Sequence, residues 1–123
     1  MTGYIVFAHG SSIESANAAV RAVAAEMAGL GGLDAVEAAF LEGGQPGLRG
    51  AIDALAGSVS RIVVIPYFLT LGLHLQRDLP RLVDEARRAH PGLAIDVTPP
   101  LDGHPAMAAV LLARAREAGS AEA

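Results

Sequence analysis

Four short apolar runs rich in β-branched residues, Tyr4–Ala8, Ala35–Leu41, Arg61–Pro66 and Leu93–Thr98, each lead into a helical pattern. That alternation limits the fold more than any other feature of the chain. The runs start about 31, 26 and 32 residues apart, room for a crossover helix and far more than a hairpin needs. Strands joined in this way pair parallel with right-handed crossovers. The sequence therefore predicts an α/β fold: a four-stranded parallel sheet with flanking helices, a flavodoxin-like, doubly wound half-domain. Its 123 residues suffice for one hydrophobic core, expected over residues 1–118, with 119–123 as a frayed C-terminal tail.

The helices can be placed by their caps and apolar faces. The first opens with a capping box, Ser11 and Glu14, carries its stripe on Ala16, Val20, Val23, Met27 and Leu30, and is stopped by Gly29, Gly31 and Gly32. The second follows Pro46 and buries Leu48, Ala51, Ile52 and Leu55. The third starts near Asp78 to Pro80 and buries Leu79, Leu82, Val83 and Ala86, leaving Arg81, Asp84, Glu85, Arg87 and Arg88 to water. The fourth opens at Pro105, a favourable first-turn position, and turns Met107, Val110 and Leu111 inward. Residues 67–77 then form a long, Leu-rich connection after the third strand, and connections of that kind tend to carry function.

Composition removes several classes of function. Hydrophobic residues make up 52% of the chain but aromatic ones only 4%, so the core is built from Ala, Leu, Val and Ile and disorder is not expected. The net charge is −4, and all nine basic residues are arginines scattered without a basic run, which argues against nucleic acid as a partner. With no cysteine, disulfides, thiolate zinc sites and a cysteine-ligated iron–sulfur cluster are ruled out within this chain. No apolar stretch approaches the roughly 18 residues of a membrane span and no charged leader precedes the first strand. The expectation is a cytoplasmic protein with no membrane partner.

In a parallel sheet the strands point one way, so the residues that follow them gather along one edge, where open α/β sheets bind ligands. His9 follows the first strand, Glu42 the second, His74 the third and His104 the fourth. Singly, each has a plain structural explanation. His9 could satisfy strand-end backbone groups, Glu42 could be a solvated loop carboxylate, and His104 could simply open the last helix before Pro105. His90, at the end of the third helix, complements the helix dipole there. His74 is harder to explain, because an imidazole in the apolar stretch Leu71-Gly72-Leu73-His74-Leu75 has no evident structural duty. Together, two imidazoles and a carboxylate suit Co²⁺, Ni²⁺, Fe²⁺ or Zn²⁺ rather than Mg²⁺ or Ca²⁺. Ligands drawn from separate loops leave coordination positions open.

These residues also occur in a recognisable order: Ala8-His9-Gly10-Ser11, then Ala39-Phe40-Leu41-Glu42 with Pro46, then Pro66-Tyr67-Phe68-Leu69 through Gly72, His74, Asp78 and Pro80, then Pro100-Leu101 with His104-Pro105. In that order the chain resembles, over nearly its whole length, the class II tetrapyrrole chelatases of cobalamin and sirohaem biosynthesis, in their short CbiX/SirB form. The resemblance implies a chelatase-type α/β domain that inserts Co²⁺, or Fe²⁺ or Ni²⁺, into sirohydrochlorin or a close relative. It implies that the divalent metal is a substrate and that no organic cofactor takes part. His9, Glu42 and His74 would be the metal ligands and catalytic residues, with His9 also the base that takes a pyrrole proton. Carboxylates of the macrocycle would meet Arg77, Arg49 or the backbone N–H groups of Gly10 and Ser11 at the start of the first helix. Because one such domain leaves its ligand edge open, and longer members of the family carry two in one chain, a symmetric homodimer is expected to form the cleft.

Other readings compete. A hydrolase with Ser11 as nucleophile lacks a Gly-x-Ser-x-Gly elbow, and no arginine precedes His9-Gly10 as a histidine phosphatase would require. An FMN-binding flavodoxin relative would want a Ser/Thr-rich phosphate loop, and the chain has no tryptophan to stack on flavin. A non-catalytic carrier of metal or tetrapyrrole would present the same ligands and the same apolar stretch.

Overall fold

The computed structural model describes residues 1–122. Its elements alternate throughout: β1 (Thr2–Ala8), α1 (Glu14–Gly31), β2 (Val36–Phe40), α2 (Leu48–Ala56), β3 (Arg61–Pro66), α3 (Leu73–Ala89), β4 (Ala94–Val97) and α4 (Pro105–Glu122). All strand pairs are parallel, in the order β2-β1-β3-β4. The strands agree with the expected runs to within two residues at each end.

Alternation along the strands sends side chains to two faces, and each face has its own core. Ile5, Phe7, Ala39, Ile62, Val64 and Ile95 pack against Leu48, Ala51, Ile52 and Leu55 of α2 and against Leu75, Leu79, Val83 and Ala86 of α3. On the opposite face Val6, Ala8, Ala38 and Phe40 pack against Ala24 of α1, with Val20 and Met27 beside it. The chain moves outward from β1 to β2, then returns past β1 to β3. The direction of winding therefore reverses between β1 and β3, the position at which open α/β sheets form their ligand crevice.

Three helices differ from expectation. Helix α1 starts at Glu14 with Ile13 as its N-cap and no side-chain cap. The Ser11 hydroxyl instead accepts from the Ile13 N–H at 3.0 Å, so the Ser11/Glu14 capping box does not form. Its buried positions are Asn17 and Ala24, while Ala16, Val23 and Leu30 are exposed. The inward face is thus turned by about one residue, which an alanine-rich helix permits because alanine fits either side. Helix α3 begins at Leu73, five residues before Asp78, with Gly72 as N-cap. The connection after β3 shortens accordingly, and His74 sits in a first helical turn. Pro80 lies inside α3. Helix α4 does start at Pro105, and His104 Nδ1 accepts from the Ala106 N–H at 3.0 Å, which gives His104 a local role. Met107 is half-buried, but Val110 and Leu111 are exposed, Leu111 by 68%. Among the described residues nothing covers the face they were expected to bury. The expectation for 119–123 concerns a segment that is helical as far as Glu122, and residue 123 lies outside the described residues.

Candidate metal and tetrapyrrole site

The site begins with two loops that follow neighbouring strands. Beyond the last β1–β2 pair, Ala8 with Phe40, the pairing continues: the Leu41 N–H donates to the Ala8 carbonyl at 2.9 Å and the Glu42 N–H to the His9 carbonyl at 3.0 Å. The backbones then come so close that only glycine fits. Gly10 has φ +90°, and a Cβ there would lie 1.7 Å from the Glu42 carbonyl oxygen. Gly43, at φ +72°, is packed against the backbone of Ser11. Arg21 of α1 braces the second loop from outside, donating to the Gln45 carbonyl and stacking its guanidinium 5.2 Å from the centre of the Phe40 ring. It also bonds to Glu14 and, by that bond and by its charge, holds the Glu14 carboxyl below its usual range.

This framework brings His9 and Glu42 together at the sheet edge. His9 Nε2 stands 3.5 Å from Glu42 Oε1, with both side chains mostly exposed, 61% and 71%. His9 Nδ1 lies 3.1 Å from the Gly10 carbonyl. Since that carbonyl only accepts, a neutral ring bonded to it carries its proton on Nδ1 and presents the Nε2 lone pair toward the carboxylate. A lone pair and a carboxylate oxygen at this distance repel unless a cation, proton or metal, lies between them.

The pair opens into a cavity of about 530 Å³ whose polar lining also includes His74 and Asp78, a volume within the usual range for small-ligand sites. His74 and Asp78 are four residues apart on α3 and so share one face of the helix. Leu41, Phe68 and Leu75 supply the apolar wall, and the exposed Leu69 and Leu73, the latter 81% accessible, stand nearby in sequence. Among the described residues no group of three or more His, Asp or Glu is close enough to hold a metal ion. The structure thus pairs His9 with Glu42 and places His74 on the wall of the same cavity without closing a three-ligand cluster.

The expected anion contacts change. Helix α1 starts three residues beyond Ser11, and the Ser11 N–H is already taken by Asn17 Oδ1 at 2.9 Å. Arg49 is paired with Asp53 at 2.9 Å. Arg77 is exposed, has no ion pair among the described residues and does not line the cavity. Asp78 and Asn17 are the residues that sequence reasoning missed. Asp78 would have emerged from an earlier start to α3, and Asn17 from being a lone amide in a run of alanines. A second groove, about 500 Å³ between α3 and β4, is lined mainly by Leu71, Leu79, Val83 and Val97. Its two charged residues already have partners, Arg87 with Asp84 and Asp96 with Arg61.

Comparison with known proteins gives this arrangement a family. The CbiX family model matches residues 3–118. The chain belongs to the CbiX family. It is 31% identical to a sirohydrochlorin cobaltochelatase of Sulfurisphaera tokodaii over 120 residues, covering 95% of this chain and 93% of that protein. It is also 32% identical to one of Methanopyrus kandleri over 84 residues, covering 68% of this chain and 59% of that protein. The chain therefore spans about three fifths of the latter relative's length. A putative cobalamin biosynthesis CbiX protein from Marinobacter aquaeolei has the same fold, with TM-score 0.85 at 23% identity over 98% of both chains. The CbiX fold accounts for the single parallel sheet and for the reversal point beside which His9, Glu42 and His74 line one cavity. No helix among the described residues is long and apolar enough to cross a membrane.

Proposed function

We propose that this CbiX-family chain inserts a divalent metal, Co²⁺ first and Fe²⁺ or Ni²⁺ as alternatives, into sirohydrochlorin or a closely related tetrapyrrole. The observation that carries the reading is the His9–Glu42 pair, 3.5 Å apart, opening into the cavity that His74 and Asp78 also line. Imidazole nitrogen and carboxylate oxygen suit these ions, and an exposed pair holds a cation loosely enough to release it.

In this reading His9 Nε2 and Glu42 take up the metal. His74 has no hydrogen bond among the described residues, so its ring is free to turn toward the cation as third ligand. Metal entry displaces two pyrrole protons from the macrocycle. Once the cation leaves, His9 Nε2 is free to accept one of them, and the carboxylates of Glu42 and Asp78 offer further acceptors. Phe68, Leu41, Leu69 and Leu73 give the flat ring an apolar surface, and Arg77 is available to its carboxylates.

A cavity open on one side contacts one face of a macrocycle, and Val110, Leu111 and Leu112 of α4 are exposed. Both features support a symmetric homodimer whose second copy completes the cleft. A cytoplasmic location is part of the same proposal. Metal-free protein mixed with sirohydrochlorin and each divalent ion in turn, followed by absorbance of the metallated product, tests the function. Many turnovers per chain are expected. Product that stops at one equivalent would make the protein a carrier, and no product with any ion would overturn the reading. Sedimentation should give the mass of two chains; a fully active monomer would remove the dimer.

A further inference from the structure

Asn17 is the one polar or charged residue among those buried in the described chain, 1% exposed. It lies in the first turns of α1 with alanines at positions 16, 18 and 19, where alanine would serve the helix better than asparagine. Its side chain does not serve its own helix backbone. Oδ1 accepts from the Ser11 N–H at 2.9 Å, while Nδ2 donates to the Ser11 carbonyl at 2.8 Å and to the Gly43 carbonyl at 3.1 Å. One amide thus closes on both loops, two residues from His9 and one residue from Glu42.

We propose that Asn17 is the positioning residue of the metal site, a buried amide that fixes the spacing of His9 and Glu42 by bonding the two loops to each other. The proposal rests on the reading of His9 and Glu42 as metal ligands. The pairing that continues the sheet ends at the Glu42 N–H. Beyond it the loops touch through glycine backbone, and Gly44 leaves room for the amide, since a Cβ there would meet Asn17 Nδ2 at 3.0 Å and the Phe40 ring at 2.9 Å. The Glu42 side chain is mostly exposed, so its position follows chiefly that of its backbone. Three backbone groups bond to this amide in partly buried contacts, and removing it leaves the two loops without the tie that joins them and free to move apart. Groups that orient metal ligands typically change affinity by about 10- to 100-fold when lost.

The test uses the full chain and Co²⁺ alone, read by the visible ligand-field spectrum and by titration, with thermal melts alongside. Asn17→Ala should raise the Co²⁺ dissociation constant about 10- to 100-fold and alter the spectrum. Val83→Ala, a core truncation in α3, should lower the melting temperature while leaving Kd and spectrum as in wild type. This separates positioning from general loss of stability. If Asn17→Ala is insoluble, Asn17→Ser is measured in its place with the same expectation. A folded Asn17 variant with wild-type Kd and spectrum overturns the proposal. So does failure of both variants to fold, which would make Asn17 a residue of the fold alone. His9→Ala separates the two layers of argument. If it abolishes the Co²⁺ spectrum while Asn17→Ala leaves it intact, only the positioning role fails; if it changes nothing, the reading of the site fails and takes this proposal with it.

Discussion

His9 and Glu42 reach the cavity from loops tied to each other by backbone hydrogen bonds, by glycine packing at Gly10 and Gly43, and by the Asn17 amide. His74 reaches it from the first turn of α3, beside the exposed Leu73 and after a glycine whose Cβ position is open space. One half of the site is over-determined by loop-to-loop contacts, and the other rests on the first turns of α3 and on the packing of Leu75 and Leu79 into the core. The difference fits a division of labour: a cation needs ligands at fixed separation, whereas a large flat substrate needs a face it can approach. Both halves are built from the sheet edge at the reversal between β1 and β3.

The largest expected effect lies on the loose half. His74→Ala should slow metal insertion about 100-fold or more, yet change stability by no more than about 0.5 kcal/mol because the side chain is exposed. Metallation rates and melts on the same preparation check this; a folded variant with wild-type rates would erase the functional contrast between the halves. Next comes a pair of glycine substitutions. Gly10→Ala should cost about 2–4 kcal/mol, combining left-handed strain with a collision against the Glu42 carbonyl, and should weaken Co²⁺ binding. Gly72→Ala, at φ −67° with nothing within 4 Å, should stay within about 0.5 kcal/mol. Equal costs in chemical denaturation would show that the two loops are equally free.

Glu42→Gln should weaken Co²⁺ about tenfold or more with the melting temperature nearly unchanged, since the side chain is exposed. Unaltered affinity would remove Glu42 from the tied half. The smallest effect is remote from both halves. Asp53 bonds to His90 and to Arg49, and these partners hold its carboxyl below the usual range. A lowered carboxylate stabilises the fold above its unfolded pKa, near 3.9, and that contribution disappears as pH falls through the folded value. Asp53→Asn should therefore destabilise the protein at pH 7 by at most about 1 kcal/mol, given its exposure, and by progressively less as the pH falls below about 4. Metal binding should be indifferent to it.

Much of this architecture is legible in the amino-acid sequence, for reasons visible in single elements. Arg61–Pro66 reads as a strand and is one, because Ile62 and Val64 alternate with Val63 and Ile65 across a sheet covered mainly on one side at that point. Helix α2 buries the four expected residues because its stripe is strongly one-sided. What is hidden has equally specific causes. Leucines at 69, 71, 73 and 75 mask where the loop stops and α3 starts, so His74 reads as a loop residue and Asp78 drops out of the site. Alanine on every side of α1 conceals which face Asn17 occupies. For α4, apolar residues predict burial, but burial needs a surface to pack on, and the described residues do not supply one for Val110 and Leu111. The positions of His9 and Glu42 follow from strand ends; the amide that spaces them does not, because it joins residues 26 positions apart.

Pro80 gives α3 a property that none of these substitutions addresses. Proline has no N–H to donate, so the Gln76 carbonyl loses its helical partner and the ladder of α3 is interrupted between its first and second turns. The segment before the gap carries His74 and Asp78 and is pinned to the core by Leu75 and Leu79. The longer segment after it is pinned by Val83 and Ala86. Amide hydrogen exchange should accordingly see two cooperative units in one helix, the shorter opening at lower free energy than the longer. The segment bearing His74 can then fray and re-form within the native state without melting the rest of α3.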